Sequence, residues 1–339
     1  MAKDNDMKMN CMNHVDRFNA VMNFQPIDRL PQVEWAVWWD KTIERWKKEG
    51  LPSSLSDTFS ISKYMGLDPY IQFWFNPISP DIANLFDNVH GAVCSMDDYV
   101  LFKDKIFTDQ SIFLESMRPW AKKQLNGDVV VWITLEGFFW YPRKLMGIER
   151  HMYGFYDLPE LMHTINSDLT RYYISILEKL SKICRPTFMT FAEDMSYNHG
   201  PMLSKSLFNE FISPYYKQLL PLLRELGTVP IVDTDGKVND MIQWFESIGI
   251  NGVLPLERQA GVDAIELRKK HPKLRMIGHF DKLVMTHGEP AMRVEFERLL
   301  PAMKIGGFIP SVDHQTPPDV SFSQYQIYLK LLSEYTRML

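Results

Sequence analysis

The sequence predicts an α/β protein: a single (β/α)8 (TIM) barrel with an N-terminal helical extension. Three observations predict it. Eight short apolar runs, near residues 33, 71, 130, 188, 230, 253, 276 and 308, alternate with helix-like segments, the pattern of a parallel sheet. Four of the runs, between Val229 and His314, end in an acid, a histidine or both, as barrel strands do when they deliver polar groups to a common mouth. The 339 residues contain no internal repeat, low-complexity tract or linker that would divide them.

In chain order, residues 1–15 read as a loose tail and residues 16–339 as the barrel. Asp16 to Asn23 is a short helix capped by Asp16, followed by a turn at Pro26-Ile27-Asp28-Arg29-Leu30-Pro31. Gln32 to Trp39 is the first predicted strand. Lys41 to Glu49 is a polar helix stopped by Gly50. Tyr70 to Phe75 is the second strand, 90–102 looks irregular or hairpin-like, and 109–124 is an amphipathic helix. Strands at Val129 to Leu135 and Thr187 to Phe191 enclose helices at 142–152 and 158–184. Ser204 to Leu226 reads as one helix, capped by Ser204 and stopped at Gly227. The four polar-tipped strands then alternate with helices at 238–248, 262–271 and 288–305, and a helix from Ser321 to Arg337 closes the chain.

Composition narrows the function classes. Apolar residues are 45% and charged residues 23%, ordinary for a globular protein with a sizeable core. A net charge of −5 without long basic runs argues against nucleic acid. No apolar run approaches the roughly 20 residues of a spanning helix, and Met1 to Asn13 lacks the apolar core of a secretory signal. Cys11, Cys94 and Cys184 are scattered without metal-type spacing, which fits a reducing cytoplasm. Oligomeric state is not legible, and a homodimer stays open.

The strand tips supply the candidate site. Asp233 and Asp235 flank Thr234 and share one face of a strand. They read as metal ligands, as a general acid/base pair, or as caps of the next helix. Glu257 follows the apolar Leu254-Pro255-Leu256, where an unpaired carboxylate is expensive. His279 follows Gly278; it is a ligand or a hydrogen-bonded core histidine. His314 is a ligand or a donor to a substrate oxygen, and Asp313 either orients it or faces away. Glu193 and Asp194 end a strand together, one expected to face the mouth and the other a helix terminus. The catalytic candidates are therefore Asp233, Asp235, Glu193 and Asp313; the metal candidates are Asp235, Glu257, His279 and His314. Trp38, Trp39, Phe138, Phe139 and Tyr197 are the candidates for a substrate wall, with Trp35 and Trp140 beside them; barrel core is the competing reading for each ring. His199 reads as a loop residue, and Lys237 and Lys282 as solvated.

The ordered set Arg17-Phe18, Pro26-Ile27-Asp28-Arg29-Leu30-Pro31, Trp132-Ile133-Thr134-Leu135-Glu136-Gly137, Leu203-Ser204 with Phe208 and Phe211-Ile212-Ser213-Pro214-Tyr215, and Gly307-Phe308-Ile309 with Asp313-His314 and Pro317-Pro318-Asp319 resembles the uroporphyrinogen decarboxylase superfamily, which includes corrinoid-dependent methyltransferases. The resemblance covers about residues 15–336 and implies a single (β/α)8 barrel. Two departures refine it. Where the porphyrinogen decarboxylases carry arginines for the substrate's carboxylates, this chain has Val33-Glu34-Trp35-Ala36-Val37-Trp38-Trp39-Asp40, with two acids and no arginine. Where the thiol methyltransferases place zinc-binding His-x-Cys-Gly and a late Cys, it has Asp233-Thr234-Asp235-Gly236 and His314, so Asp235 stands at a cysteine ligand's position. Such a harder donor set still accepts zinc. The resemblance points to the methyltransferase component of anaerobic O-demethylases, which moves a methyl group from a methyl ether, often a methoxylated aromatic, to the cobalt of a separate corrinoid protein. A decarboxylase or lyase acting on a smaller substrate, and a non-catalytic barrel that binds a corrinoid protein, are the alternatives.

Overall fold

In the computed structural model, which describes residues 11–86 and 89–338, the chain forms two compact units. A central unit comprises Ile71–Lys123 and Val131–Asp263; a terminal unit comprises Met1–Tyr70, Gln124–Val130 and Ala264–Leu339. The strands are β1 (Tyr70–Trp74), β2 (Val130–Glu136), β3 (Phe188–Ala192), β4 (Ser196–Tyr197), β5 (Gly200–Pro201), β6 (Val229–Asp233), β7 (Gly252–Leu254), β8 (Arg275–Phe280) and β9 (Phe308–Val312). No helix of the described residues is long and apolar enough to cross a membrane.

In the central unit the sheet order is β1-β2-β3-β6-β7, and β2–β3, β3–β6 and β6–β7 pair in parallel. Every residue of β2 is buried, which suits its run of Val, Trp, Ile and Leu. Period-two alternation puts Trp132 and Thr134 on one face. There Trp132 Nε1 donates to Thr190 Oγ1 at 2.9 Å, Thr134 and Thr190 share a hydroxyl contact at 2.8 Å, and Gln72 donates to Thr134 at 2.8 Å. These bonds satisfy the polar groups of an otherwise apolar layer. The 23-residue helix Pro159–Ser181 buries apolar residues from Leu161 to Leu180, and its Tyr173 hydroxyl donates to the Glu136 carbonyl at the end of β2 at 2.8 Å. The short hairpin β4–β5 projects after β3.

The helix expected as one piece from Ser204 is two, Lys205–Phe211 and Ser213–Leu226. Ser204 does cap the first, accepting from the Leu207 amide at 3.2 Å. Pro214 lacks the N–H that would continue it, so a second helix begins there and runs to the left-handed Gly227. Residues 90–102, expected to be irregular, instead lead into the helix Met96–Ile106. Ser95 caps it by accepting from the Asp98 amide at 3.2 Å, a signal present in the sequence and overlooked.

In the terminal unit β8 and β9 pair in parallel, with His279 opposite Ser311. The helices Glu289–Ile305 and Phe322–Tyr335 bury an aromatic cluster that includes Phe280, Phe296 and Tyr328. The first helix is His14–Met22, capped by Asn13 rather than Asp16; the Asn13 side chain accepts from the Asp16 amide at 2.8 Å. Two bidentate pairs then fix the Asp28-Arg29 turn. Asp28 takes Arg17 at 2.8 and 2.7 Å, and Arg29 takes Asp68 at 2.8 and 2.6 Å.

The expected strand from Gln32 to Trp39 is not one, so the described residues hold seven of the eight predicted strands. Side chains do the fastening that a ladder would have done. The Trp35 amide donates to Ser311 Oγ at 3.2 Å, Trp35 Nε1 to the Val312 carbonyl at 2.5 Å, and Ser311 Oγ and Tyr325 OH to the Glu34 carboxylate at 2.5 and 2.9 Å.

Candidate active site

Four non-glycine residues of the described chain have positive φ, and three of them stand at strand ends: Asp194 (37°) after β3, Leu256 (65°) after β7 and His279 (72°) near the end of β8. Strained backbone held at strand ends marks places where the chain is shaped for more than packing.

In the central unit the polar groups gather after β3 and β6. Glu193 is fully buried, and its carboxylate is taken up entirely. It accepts from the amides of Phe138 (3.0 Å), Phe139 (2.8 Å) and Trp140 (3.2 Å) and from the Tyr216 hydroxyl. These amides start the helix Trp140–Met146, so Glu193 is its capping anion. Burial nonetheless raises its carboxyl to about 7 against the pull of those donors. Glu193, expected to be catalytic, is thus the member of its pair that faces a helix terminus. Gly137 makes room for it: a Cβ there would lie 2.0 Å from Glu193 Cδ.

Asp194 turns the other way. Its Oδ1 accepts from the Asp235 amide at 3.3 Å, and its carbonyl accepts from Arg143 Nη1 at 3.3 Å. Thr234 anchors the end of β6; it is buried, and its Oγ1 accepts from the Met195 amide at 3.1 Å. The Asp235 carbonyl accepts from Ser196 Oγ, and Glu257 Oε2 accepts from the Gly236 amide at 2.8 Å. Asp233 and Asp235 are both half-buried. The Asp233 carboxyl is raised well above the carboxylate range by withdrawal from water, then by repulsion from Asp194 and Asp235. The central unit therefore brings together Asp194, Asp233, Asp235 and Glu257, with Arg143 close by.

The terminal unit holds His279, Asp313 and His314. His279 is fully buried, and its Nε2 accepts from the Ala264 amide at 3.0 Å, with Arg298 Nη1 at 3.1 Å. Arg298 is itself held by Glu295 at 2.5 and 2.8 Å. The imidazole thus caps the helix Ala264–Lys270, the hydrogen-bonded alternative to a ligand role. Asp313 is buried and paired with Lys282, at 3.1 Å to Nζ. Lys282, read from the sequence as solvated, is mostly covered. His314 follows, half-buried. Among the described residues, no group of three or more His, Cys, Asp or Glu is arranged to hold a metal ion. Glu257 and His279 each commit a donor atom to a backbone amide, so these residues do not fit zinc as they stand.

The aromatic candidates separate by exposure. Phe138 and Phe139 have no accessible surface and pack on Tyr215 and Tyr216, and on His151 and Phe155. Trp38 packs on Trp46 and Tyr325. These three are core, so the substrate-wall reading is corrected for them. Trp39 (45% exposed) and Tyr197 (48%) remain open to solvent, Tyr197 on the β4–β5 hairpin.

Two groups escaped the sequence reading. Glu34 is buried, and its carboxyl is raised to about 7 by burial, with the Asp313 charge adding to the rise. Its signal was an acid inside the apolar Val33-Glu34-Trp35-Ala36 run, which calls for a buried partner. Arg143 carried no signal, because a helix arginine is ordinary until the loop it reaches is known.

A family model described as uroporphyrinogen decarboxylase (URO-D) matches residues 88–335. No curated protein sequence matches the chain. Among solved structures, a methyltransferase from Methanosarcina mazei is similar in fold, with TM-score 0.64 and 12% identity over 96% of this chain and 99% of that one. An endo-1,4-β-mannanase from Rhizomucor miehei aligns at TM-score 0.47 and 10% identity, over 90% and 95% of the two chains. The family match spans well over half of the sequence and both units, and the chain belongs to the uroporphyrinogen decarboxylase family.

Proposed function

We propose that this chain is a methyltransferase built on the family's (β/α)8 scaffold, taking a methyl group from a methyl ether and passing it to the cobalt of a corrinoid carried by a partner protein. The observation that carries the reading is the setting of Asp233. A methyl ether reacts only if its oxygen can leave, and an alkoxide or phenolate leaves poorly unless it is protonated. A carboxyl raised well above its ordinary range holds its proton more readily than a solvated one and can deliver it to a leaving oxygen. Withdrawal from water, then repulsion from Asp194 and Asp235, favours the proton on Asp233, and Thr234 fixes the turn that presents it. As the methyl–oxygen bond breaks, the Asp233 proton passes to the leaving oxygen and the carboxylate is left to be reprotonated by solvent. The corrinoid supplies the nucleophile, so the chain's own task is to bind the ether, orient its methyl carbon and protonate its oxygen. The similar fold of the Methanosarcina mazei methyltransferase agrees in kind. The absence of arginine from 33–40 leaves no clamp there for a polycarboxylate, which sets uroporphyrinogen aside.

The test is methyl transfer from a panel of methoxyarenes to a cobalt(I) corrinoid protein, followed spectroscopically. Asp233→Asn is expected to lower the rate by about 10²–10⁴-fold, the usual worth of a positioned general acid. Wild-type rates in Asp233→Asn would remove the proton role. Failure of the wild-type chain with every ether would remove the function.

A further inference from the structure

We propose that Arg143 anchors a single carboxylate on the ligand that binds beside the ends of β3 and β6; the inference rests on the reading of that region as the substrate site. Arg143 lies on the helix Trp140–Met146, which Glu193 ties rigidly to the end of β3. Its guanidinium carbon sits 5.0 Å from the centre of the Trp140 ring, which sets the plane of the fork. Its hydrogen bond to protein is a long one, Nη1 to the Asp194 carbonyl at 3.3 Å. Nε is enclosed and has no acceptor. Among the described residues no carboxylate forms an ion pair with the guanidinium, although Asp194 is near enough for its charge to be felt. The Asp194 side chain is turned instead to the Asp235 amide. The neighbouring Lys144 shows the contrast, being spent on Glu136 at 2.7 Å.

A half-covered guanidinium that stacks on Trp140 and whose Nη2 meets no acceptor among the described residues suits a planar carboxylate that accepts from its two terminal nitrogens. The acids beside it restrict what that acceptor belongs to. Asp194 and Asp235 repel further negative charge, so the ligand carries one anionic group and presents an uncharged end to the acids. That describes a monocarboxylate with a neutral reacting end.

Isothermal titration of the full chain with benzoate, benzamide and meta-methoxybenzoate tests the anchor separately from the ether reading. Wild type is expected to bind benzoate at least about tenfold more tightly than benzamide, the scale of a charge-assisted pair. Arg143→Gln is expected to abolish that preference while leaving benzamide affinity unchanged, and Arg143→Lys to restore part of it. Equal affinity for benzoate and benzamide in wild type, no benzoate binding at millimolar concentration, or a preference that survives in Arg143→Gln would each overturn the proposal. A benzoate preference without any gain from the methoxy group would support the anchor and count against the ether.

Discussion

Replacing Gly137 by alanine sets a methyl group against a carboxylate that has nowhere to go. The new Cβ would lie 2.0 Å from Glu193 Cδ and 2.3 and 2.4 Å from its oxygens. Glu193 has no accessible surface, so it cannot swing into water. Any shift withdraws it from the amides of Phe138, Phe139 and Trp140 and from the Tyr216 hydroxyl. A buried donor left without an acceptor costs about 1–3 kcal/mol, so stranding two of these four costs about 2–6 kcal/mol. Against a total stability of about 5–15 kcal/mol this is a severe loss. Urea unfolding followed by tryptophan fluorescence measures it as a fall in midpoint at constant slope. A double-mutant cycle isolates the cause: in a Glu193→Ala background the methyl meets no carboxyl, so the cost of Gly137→Ala should shrink by at least about 2 kcal/mol. A single-mutant loss below about 1 kcal/mol, or strict additivity in the cycle, would refute the steric account.

Two further outcomes follow from the terminal unit. Burial raises the Glu34 carboxyl from an ordinary 4.5 to about 7, so the stability it contributes is complete below about pH 4.5 and is lost as pH rises through 7. The loss is about 3 kcal/mol for a shift of this size; Glu34→Gln should flatten the stability slope between pH 5 and 8, while Glu193, raised over the same window, keeps part of it. Lys282→Ala removes the ammonium from the buried Asp313 carboxylate and should destabilise the chain by about 3–5 kcal/mol in the same urea assay, whereas Lys282→Ala with Asp313→Asn should recover much of it.

Much of the fold was legible because it rests on patterns a strand or helix cannot hide. The buried β2 run and the apolar spacing of Pro159–Ser181 are visible as letters. The first predicted strand failed for the same reason that the others succeeded. An apolar, aromatic run is what both a strand and a side-chain-fastened segment look like, and only the bonds from Ser311 and Tyr325 to Glu34 tell them apart. At the candidate site, strand-end position was readable but orientation was not. Glu193 and Asp194 are adjacent acids, yet one caps a helix and the other turns to Asp235, a difference set by the φ of 37° at Asp194. His279 likewise stands at the expected strand, and its fate was decided by an amide fifteen positions earlier in the chain, at Ala264.

The fastening of Glu34 and Trp35 to β9 has a consequence for how this chain can change. A backbone ladder is blind to the residues that form it, so a strand keeps its place under almost any substitution that spares proline. A segment riveted by Glu34 to Ser311 and Tyr325, and by Trp35 to Ser311 and Val312, holds by named side chains and leaves its exposed positions at liberty. Val37 and Trp39, both exposed, take no part in those rivets. Substitutions at these two positions can therefore accumulate without loosening the rivets, whereas Trp38 between them stays tied to Trp46 and Tyr325 in the core.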